Sequence, residues 1–327
     1  MTGSMTRHEQ MIVIDGLIVS NWGPEVFRAL RAGGLTAVNA TCAVWESARQ
    51  TIDNIAQWLG WFDRYADLIM PVRRAADIVA AKAAAKTGII LGFQNGSPIE
   101  DRLDYLALYK RLGVGIIQLT YNTQNLIGSG CYESRDSGLS DFGREVVAEM
   151  NRVGIAVDLS HVGPKTSDDA IAASRDPVVF SHVLPADLKA HPRNKETRQL
   201  RAVADRGGLV GVTMFPPFLP RGIASTVDDY AGIIEWMVDH CGEDHVAYGT
   251  DFTQGHGTPF FEWITRDKGY ARQLTRFGEI KNPKDIERIE DTPNLTAALE
   301  RRTWSPSRIE KVMGLNWVGY LKRVWHE

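Results

Sequence analysis

The 327-residue sequence predicts a (β/α)8 barrel, and three observations carry the prediction. Eight short apolar runs, rich in β-branched residues, alternate with longer stretches of helical periodicity. No Gly-x-Gly-x-x-Gly or Gly-x-x-x-x-Gly-Lys-[Ser/Thr] turn follows an early run, which argues against an open doubly wound sheet. Polar and titratable residues follow five of the runs, and the C-terminal mouth of a barrel is where such folds place their chemistry.

The first run, MIVI at 11–14, stops at Asp15-Gly16, a turn signal. The second is LTAVN at 35–39. The third, GIILGF at 88–93, is followed by Gln94-Asn95-Gly96, and the fourth, GIIQLT at 115–120, by Tyr121-Asn122. The fifth, IAVDL at 155–159, leads through Ser160 to His161, and the sixth, PVVFS at 177–181, leads directly to His182. The seventh is GLVGVT at 208–213, and the eighth, HVAYG at 245–249, precedes Thr250 and Asp251. Between them, RLDYLALYKRLG, FGREVVAEMNRVG and DDYAGIIEWMVDHCG have helical form, and each ends in Gly, a usual helix stop. Residues 250–327 continue as several helices. With no repeat, low-complexity tract or linker, residues 1–327 read as one domain.

Composition bounds the function classes. The chain is 44% hydrophobic and 24% charged, ample for a large core. A net charge of -3, with basic residues scattered, excludes a polyanion-binding surface as an expectation, so no nucleic-acid partner is foreseen. Cys42, Cys131 and Cys241 lie too far apart for a metal pair and are odd in number, which fits a reducing, cytoplasmic compartment. The opening MTGSMTRHEQ is polar, and no apolar run reaches about 18 residues, so neither a secretory signal nor a membrane partner is expected.

His161 and His182 form the sharpest pair, since they close adjacent runs. Two neutral imidazoles from neighbouring strands can share one zinc-type ion; the other reading is a pair of hydrogen-bonded core histidines. Asp251 can serve as a further ligand or as a general base. Arg193, in the loop after the sixth run, can hold a carboxylate through its planar fork. His8 and His326 lie near the termini and are expected to be solvated. His240 and His245 sit at the wrong end of the barrel for chemistry, and His191 and His256 lie in loops on the active face.

The chain resembles the membrane dipeptidase (renal dipeptidase) family of the amidohydrolase superfamily along nearly its whole length. The resemblance rests on LSDFGREVVAEMNRVGIAVDLSHVG, VVFSH with HPRN, QLRAVADRGGLVGVTMFPPF, CGEDHVAYGTDF and the C-terminal DTPNLTAALERR and IEKVMGLNW. It implies a (β/α)8 barrel with two zinc-type ions that hydrolyses dipeptides, commonly as a dimer. His161 and His182 match ligands of the second ion, Asp251 the catalytic aspartate, and Arg193 the residue that holds the substrate's terminal carboxylate.

The departures are as informative. Leu17 and Val19 stand where the family's first strand has His-x-Asp. Gln94 stands where a glutamate bridges the two ions, Tyr121 where a histidine contacts the reacting carbonyl, and Thr253 where a second acidic residue occurs. Two close divalent ions need anionic ligands to offset their repulsion, so a two-ion centre is not expected. The resemblance leaves at most one divalent metal, zinc, at His161 and His182 with Gln94 or Asp251, or a site that holds none. Tyr121 is left as an acid or hydrogen-bond donor to a small carboxylate-bearing amide substrate. Two readings stay open: a dipeptidase-family hydrolase with a reduced site, and a non-hydrolytic member that runs a proton transfer or serves only in binding or assembly.

Overall fold

The computed structural model describes residues 5–327. Its nine strands are β1 Ile14–Ile18, β2 Ala37–Ala43, β3 Ile69–Pro71, β4 Thr87–Phe93, β5 Val114–Gln118, β6 Ala156–Asp158, β7 Val179–Val183, β8 Leu209–Val212 and β9 Val246–Tyr248. Eight of them run in the parallel order β1-β2-β4-β5-β6-β7-β8-β9, while β3 pairs with β4 off this path. Helices follow the strands and cover the outside, so the fold is the expected (β/α)8 barrel. The strands are buried along almost all of their lengths, because the barrel interior covers one face and the helices the other.

The seam between β9 and β1 closes just beyond the regular strands. Ile18 bridges Phe252, the Asp251 N–H donates to Leu17 O at 3.0 Å, and the Val19 N–H donates to Phe252 O at 3.0 Å. The buried Asp15 carboxylate ties the same seam, accepting from Thr250 N–H at 2.9 Å and Thr250 Oγ1 at 2.6 Å. Burial pushes its pKa up to about 7 against these bonds.

The lower mouth is plugged. Ile14, Ala37, Ile116, Ala156, Val179, Leu209 and Ala247, one from each of seven strands, pack against Trp317, Leu321 and Trp325 of the C-terminal segment. Glycines make room for these indoles. A Cβ on Gly16 would lie 2.6 Å from Trp317, and one on Gly115 would lie 2.6 Å from Trp325. Each fully buried large apolar side chain contributes roughly 1.5–3 kcal/mol. With the bottom sealed, the polar strand ends share the upper mouth.

Three expectations are corrected. The first strand occupies Ile14–Ile18 rather than 11–14, because Asp15-Gly16 lies within the strand and not in a turn. The three-residue β3 was not foreseen. His8 is not solvated: it is 4% exposed, with Nδ1 at 2.7 Å from Thr296 Oγ1 and Nε2 at 2.8 Å from Gly33 O. No helix among the described residues is long and apolar enough to cross a membrane.

Candidate functional site

The upper mouth brings Gln94, Tyr121, Asn122, His161 and Asp251 onto one cavity, joined by Val19 and Thr253. A cover made by residues 258–277 roofs it with Phe260, Phe261, Ile264 and Phe277. The space is narrow, about 40 Å³ for the centres of water-sized molecules.

His161, on the cavity wall, meets the fully buried His182 behind it, with their Nε2 atoms 3.0 Å apart. Each imidazole is oriented from behind. His161 Nδ1 lies 2.7 Å from Asn122 Oδ1, an acceptor, so this nitrogen carries the proton. His182 Nδ1 lies 2.7 Å from Ser181 Oγ. That hydroxyl is itself spent on Asp158 Oδ2, to which it makes a very short hydrogen bond. Asp158 also accepts from Ser160 N–H at 3.0 Å, Ser160 Oγ at 2.7 Å and Ser181 N–H at 3.1 Å. Four donors hold Asp158 as an acceptor although burial raises its pKa, so Ser181 donates forward and receives the His182 Nδ1 proton behind. In this arrangement both Nε2 atoms carry bare lone pairs that face each other. Burial, with Arg193 and Lys195 nearby, keeps both rings neutral by pushing their pKa values well below the ordinary one. Two lone pairs that converge at this distance repel unless they share a cation, and the carboxylate–relay–imidazole pattern is the one that supports metal-binding histidines.

The remaining residues do not supply the ligands of a two-ion centre. Leu17 and Val19 are apolar and buried. Gln94 Nε2 donates to Thr41 Oγ1 at 2.9 Å. Among the described residues no group of three or more His, Cys, Asp or Glu side chains is arranged to hold an ion, so the two imidazoles form a partial site.

Asp251 follows β9 with φ of +62°, a left-handed conformation that Asp tolerates better than most residues. The seam bond to Leu17 O holds it there, and burial raises its pKa to about 6 although Arg193 pulls the other way. Tyr121 stacks on His161, ring centroids 4.3 Å apart, and its other neighbour is Trp45 at 5.1 Å edge to face. Burial holds the phenol protonated.

Arg193 is fully buried behind the pair rather than on an open loop. Its Nη2 donates to His182 O at 2.7 Å and its guanidinium sits 5.6 Å from the Phe218 ring centroid. Among the described residues Nε and Nη1 have no hydrogen-bond partner.

His191 accepts the Arg193 N–H at 3.1 Å, and His256 stacks on Phe260 at 3.5 Å. Sequence reading did not find the orienting roles of Asn122, Ser181 and Asp158, although Asp-x-Ser in DLSH is a local signal for them. It also missed Asp267, buried in the otherwise exposed Arg266-Asp267-Lys268 of the cover, whose pKa burial raises to about 6.

The family model described as membrane dipeptidase (peptidase family M19) matches residues 25–270. An uncharacterized dipeptidase of Schizosaccharomyces pombe is 31% identical over 285 residues, covering 85% of this chain and 62% of its own length. Dipeptidase tcpJ of Claviceps purpurea is 29% identical over 287 residues, with 85% and 60% covered. The chain therefore spans less than two thirds of these curated relatives. An amidohydrolase from Pseudomonas aeruginosa, solved by crystallography, is 55% identical with a TM-score of 0.96 over 98% of both chains. A metallo peptidase from Rhodobacter sphaeroides, liganded with a phosphinate mimic of the dipeptide L-Ala-D-Ala, shares the fold at 21% identity, with a TM-score of 0.79 over 96% of this chain and 99% of its own.

Proposed function

Because the chain belongs to the membrane dipeptidase family, peptidase family M19, we propose that it is a hydrolase of small carboxylate-bearing amides with a single-ion site. The observation that carries this reading is the 3.0 Å separation of the His161 and His182 Nε2 atoms, with Asn122 Oδ1 and Ser181 Oγ each 2.7 Å from the other ring nitrogen. His161 and His182 would hold one divalent ion, zinc by ligand type, with the Gln94 carbonyl or Asp251 and water completing its shell. Such an ion, when bound, polarises a carbonyl and acidifies water.

The protein's own groups take the other roles. Asp251, ionised above a pKa near 6, accepts a proton at neutral pH and returns it to the departing amine. Tyr121, kept protonated, donates a hydrogen bond to the amide carbonyl. Arg193 has unpartnered Nε and Nη1 for the substrate carboxylate, a charge-assisted pairing that requires the Phe218 wall to move aside, since the guanidinium is fully buried. The phenylalanine-rich cover keeps bulk water out.

The test is hydrolysis of N-acylglycines and dipeptides by the zinc-loaded protein, with Asp251→Asn and His182→Ala as controls. Turnover that both substitutions abolish supports the reading. Carboxylate binding without turnover in the loaded protein would favour a non-hydrolytic member, in line with the loss of acidic groups at Val19 and Gln94.

A further inference from the structure

The cavity beside His161 is narrow, about 40 Å³ for the centres of water-sized molecules. Substrate bulk beyond the amide and its carboxylate needs further space. A second cavity of about 310 Å³ adjoins the first and shares two wall residues with it, Val19 and Phe260. Trp22, Trp58, Trp61 and Trp263 line it.

Its walls are preformed. Trp22 packs edge to face on Trp58 with centroids 5.1 Å apart, and Trp58 packs the same way on Trp61 at 5.0 Å. The Trp22 indole N–H is taken by Thr41 O at 3.1 Å, so the polar end of that ring is already satisfied. The one acid on the wall, Glu46, is occupied by Val44 N–H at 2.7 Å and Asn54 Nδ2 at 3.4 Å. Val19 makes the shared wall apolar. A space with four indoles on its wall, beside polar side chains such as Asn21, Asn54 and Gln57 and the hydrogen-bonded Glu46 carboxylate, and parted from the reacting centre by Val19 and Phe260, suits a flat uncharged ring.

We propose that this tryptophan-lined cavity is a subsite for an aromatic ring, and that the substrate is an N-acyl amino acid whose acyl half carries the ring. The proposal rests on the reading above, in which the amide lies at His161 and His182 and the carboxylate points to Arg193. The ring enters the tryptophan cavity past Val19, and Phe260 turns aside from the shared wall to admit the link.

Free indole tests the subsite alone, and N-phenylacetylglycine against N-acetylglycine tests its use. Binding is measured by calorimetry and ligand-observed NMR on the zinc-loaded full chain. Trp263→Ala and Trp61→Ala both alter half-buried residues, so at least one is expected to fold normally by circular dichroism. Indole should bind, and either variant should abolish its binding. N-phenylacetylglycine should bind at least about tenfold tighter than N-acetylglycine, and the variants should erase that difference without changing N-acetylglycine affinity. Absence of indole binding, indole binding that both variants leave intact, or equal affinity for the two acylglycines would overturn the proposal. Tryptophan-dependent indole binding with neither acylglycine bound would leave the subsite standing and refute the reading of the main cavity.

Discussion

Replacing Asp158 with Asn changes one proton position at the far end of a chain of three side chains. Asp158 Oδ1 receives two backbone N–H groups, from Ser160 and Ser181, and the Ser160 hydroxyl. Backbone donors cannot turn around, so the Asn carbonyl takes that end and its NH2 group faces Ser181 Oγ. The hydroxyl loses its acceptor and receives a hydrogen bond instead. It then donates to His182 Nδ1, 2.7 Å away, and His182 moves its proton to Nε2. The N–H now points at His161 Nε2 across 3.0 Å, forms a hydrogen bond, and removes one of two lone pairs from the ion site.

Disturbing such a supporting partner lowers metal affinity about 10–100-fold. This corresponds to roughly 1.4–2.8 kcal/mol at 1.4 kcal/mol per tenfold. Zinc affinity at pH 7.5, by competition with a chromophoric chelator, measures it, and 15N-histidine NMR of the metal-free protein reads the tautomer. Affinity within twofold of the unmodified protein, or His182 still protonated on Nδ1 in the variant, would refute the reasoning.

Arg193→Lys should weaken N-acetylglycine binding about tenfold, because a point charge replaces a planar fork; calorimetry showing unchanged affinity would count against the carboxylate role. Hydrolysis should depend on Asp251 in its basic form, so kcat/KM should rise with pH through a midpoint near 6 and level off above it, and Asp251→Asn should lose that limb. Lys195 is buried with Nζ on Val162 O, and its pKa is lowered to about 7 from 10.5. Its penalty is complete below pH 7, where both states are protonated, and fades as pH rises toward 10.5 and the unfolded chain also loses the proton. Lys195→Met should therefore stabilise the fold by on the order of 1–4 kcal/mol below pH 7 and by progressively less toward pH 10, as read from denaturant midpoints.

The barrel was legible because parallel strands buried on both faces leave continuous apolar runs, and GIILGF, IAVDL and VVFS show them. The first strand was misplaced for a physical reason. Asp-Gly usually marks a turn, yet here Gly16 allows Trp317 to approach the seam and Asp15 bonds across it to Thr250. The Ile69–Pro71 strand, three residues long, is too short to show a strand pattern in the sequence. Nearness to the terminus was a poor guide to His8, which the C-terminal helices bury. At the site, the adjacency of His161 and His182 followed from strand order alone. Their tautomers did not, since these depend on Asn122 and Ser181 hydrogen bonds that only the fold brings together. The Trp-lined cavity was equally hidden, because Trp22, Trp61 and Trp263 come from three distant segments.

Metal content per chain tests the central claim most directly. The protein is dialysed against excess zinc, freed of unbound ion, and analysed beside His161→Ala and His182→Ala. One ion per chain is predicted, and none in either variant. A stoichiometry near two would mean that Leu17 and Val19 do not occupy the first-site positions, and either no bound zinc or zinc that survives both substitutions would contradict the His161–His182 site.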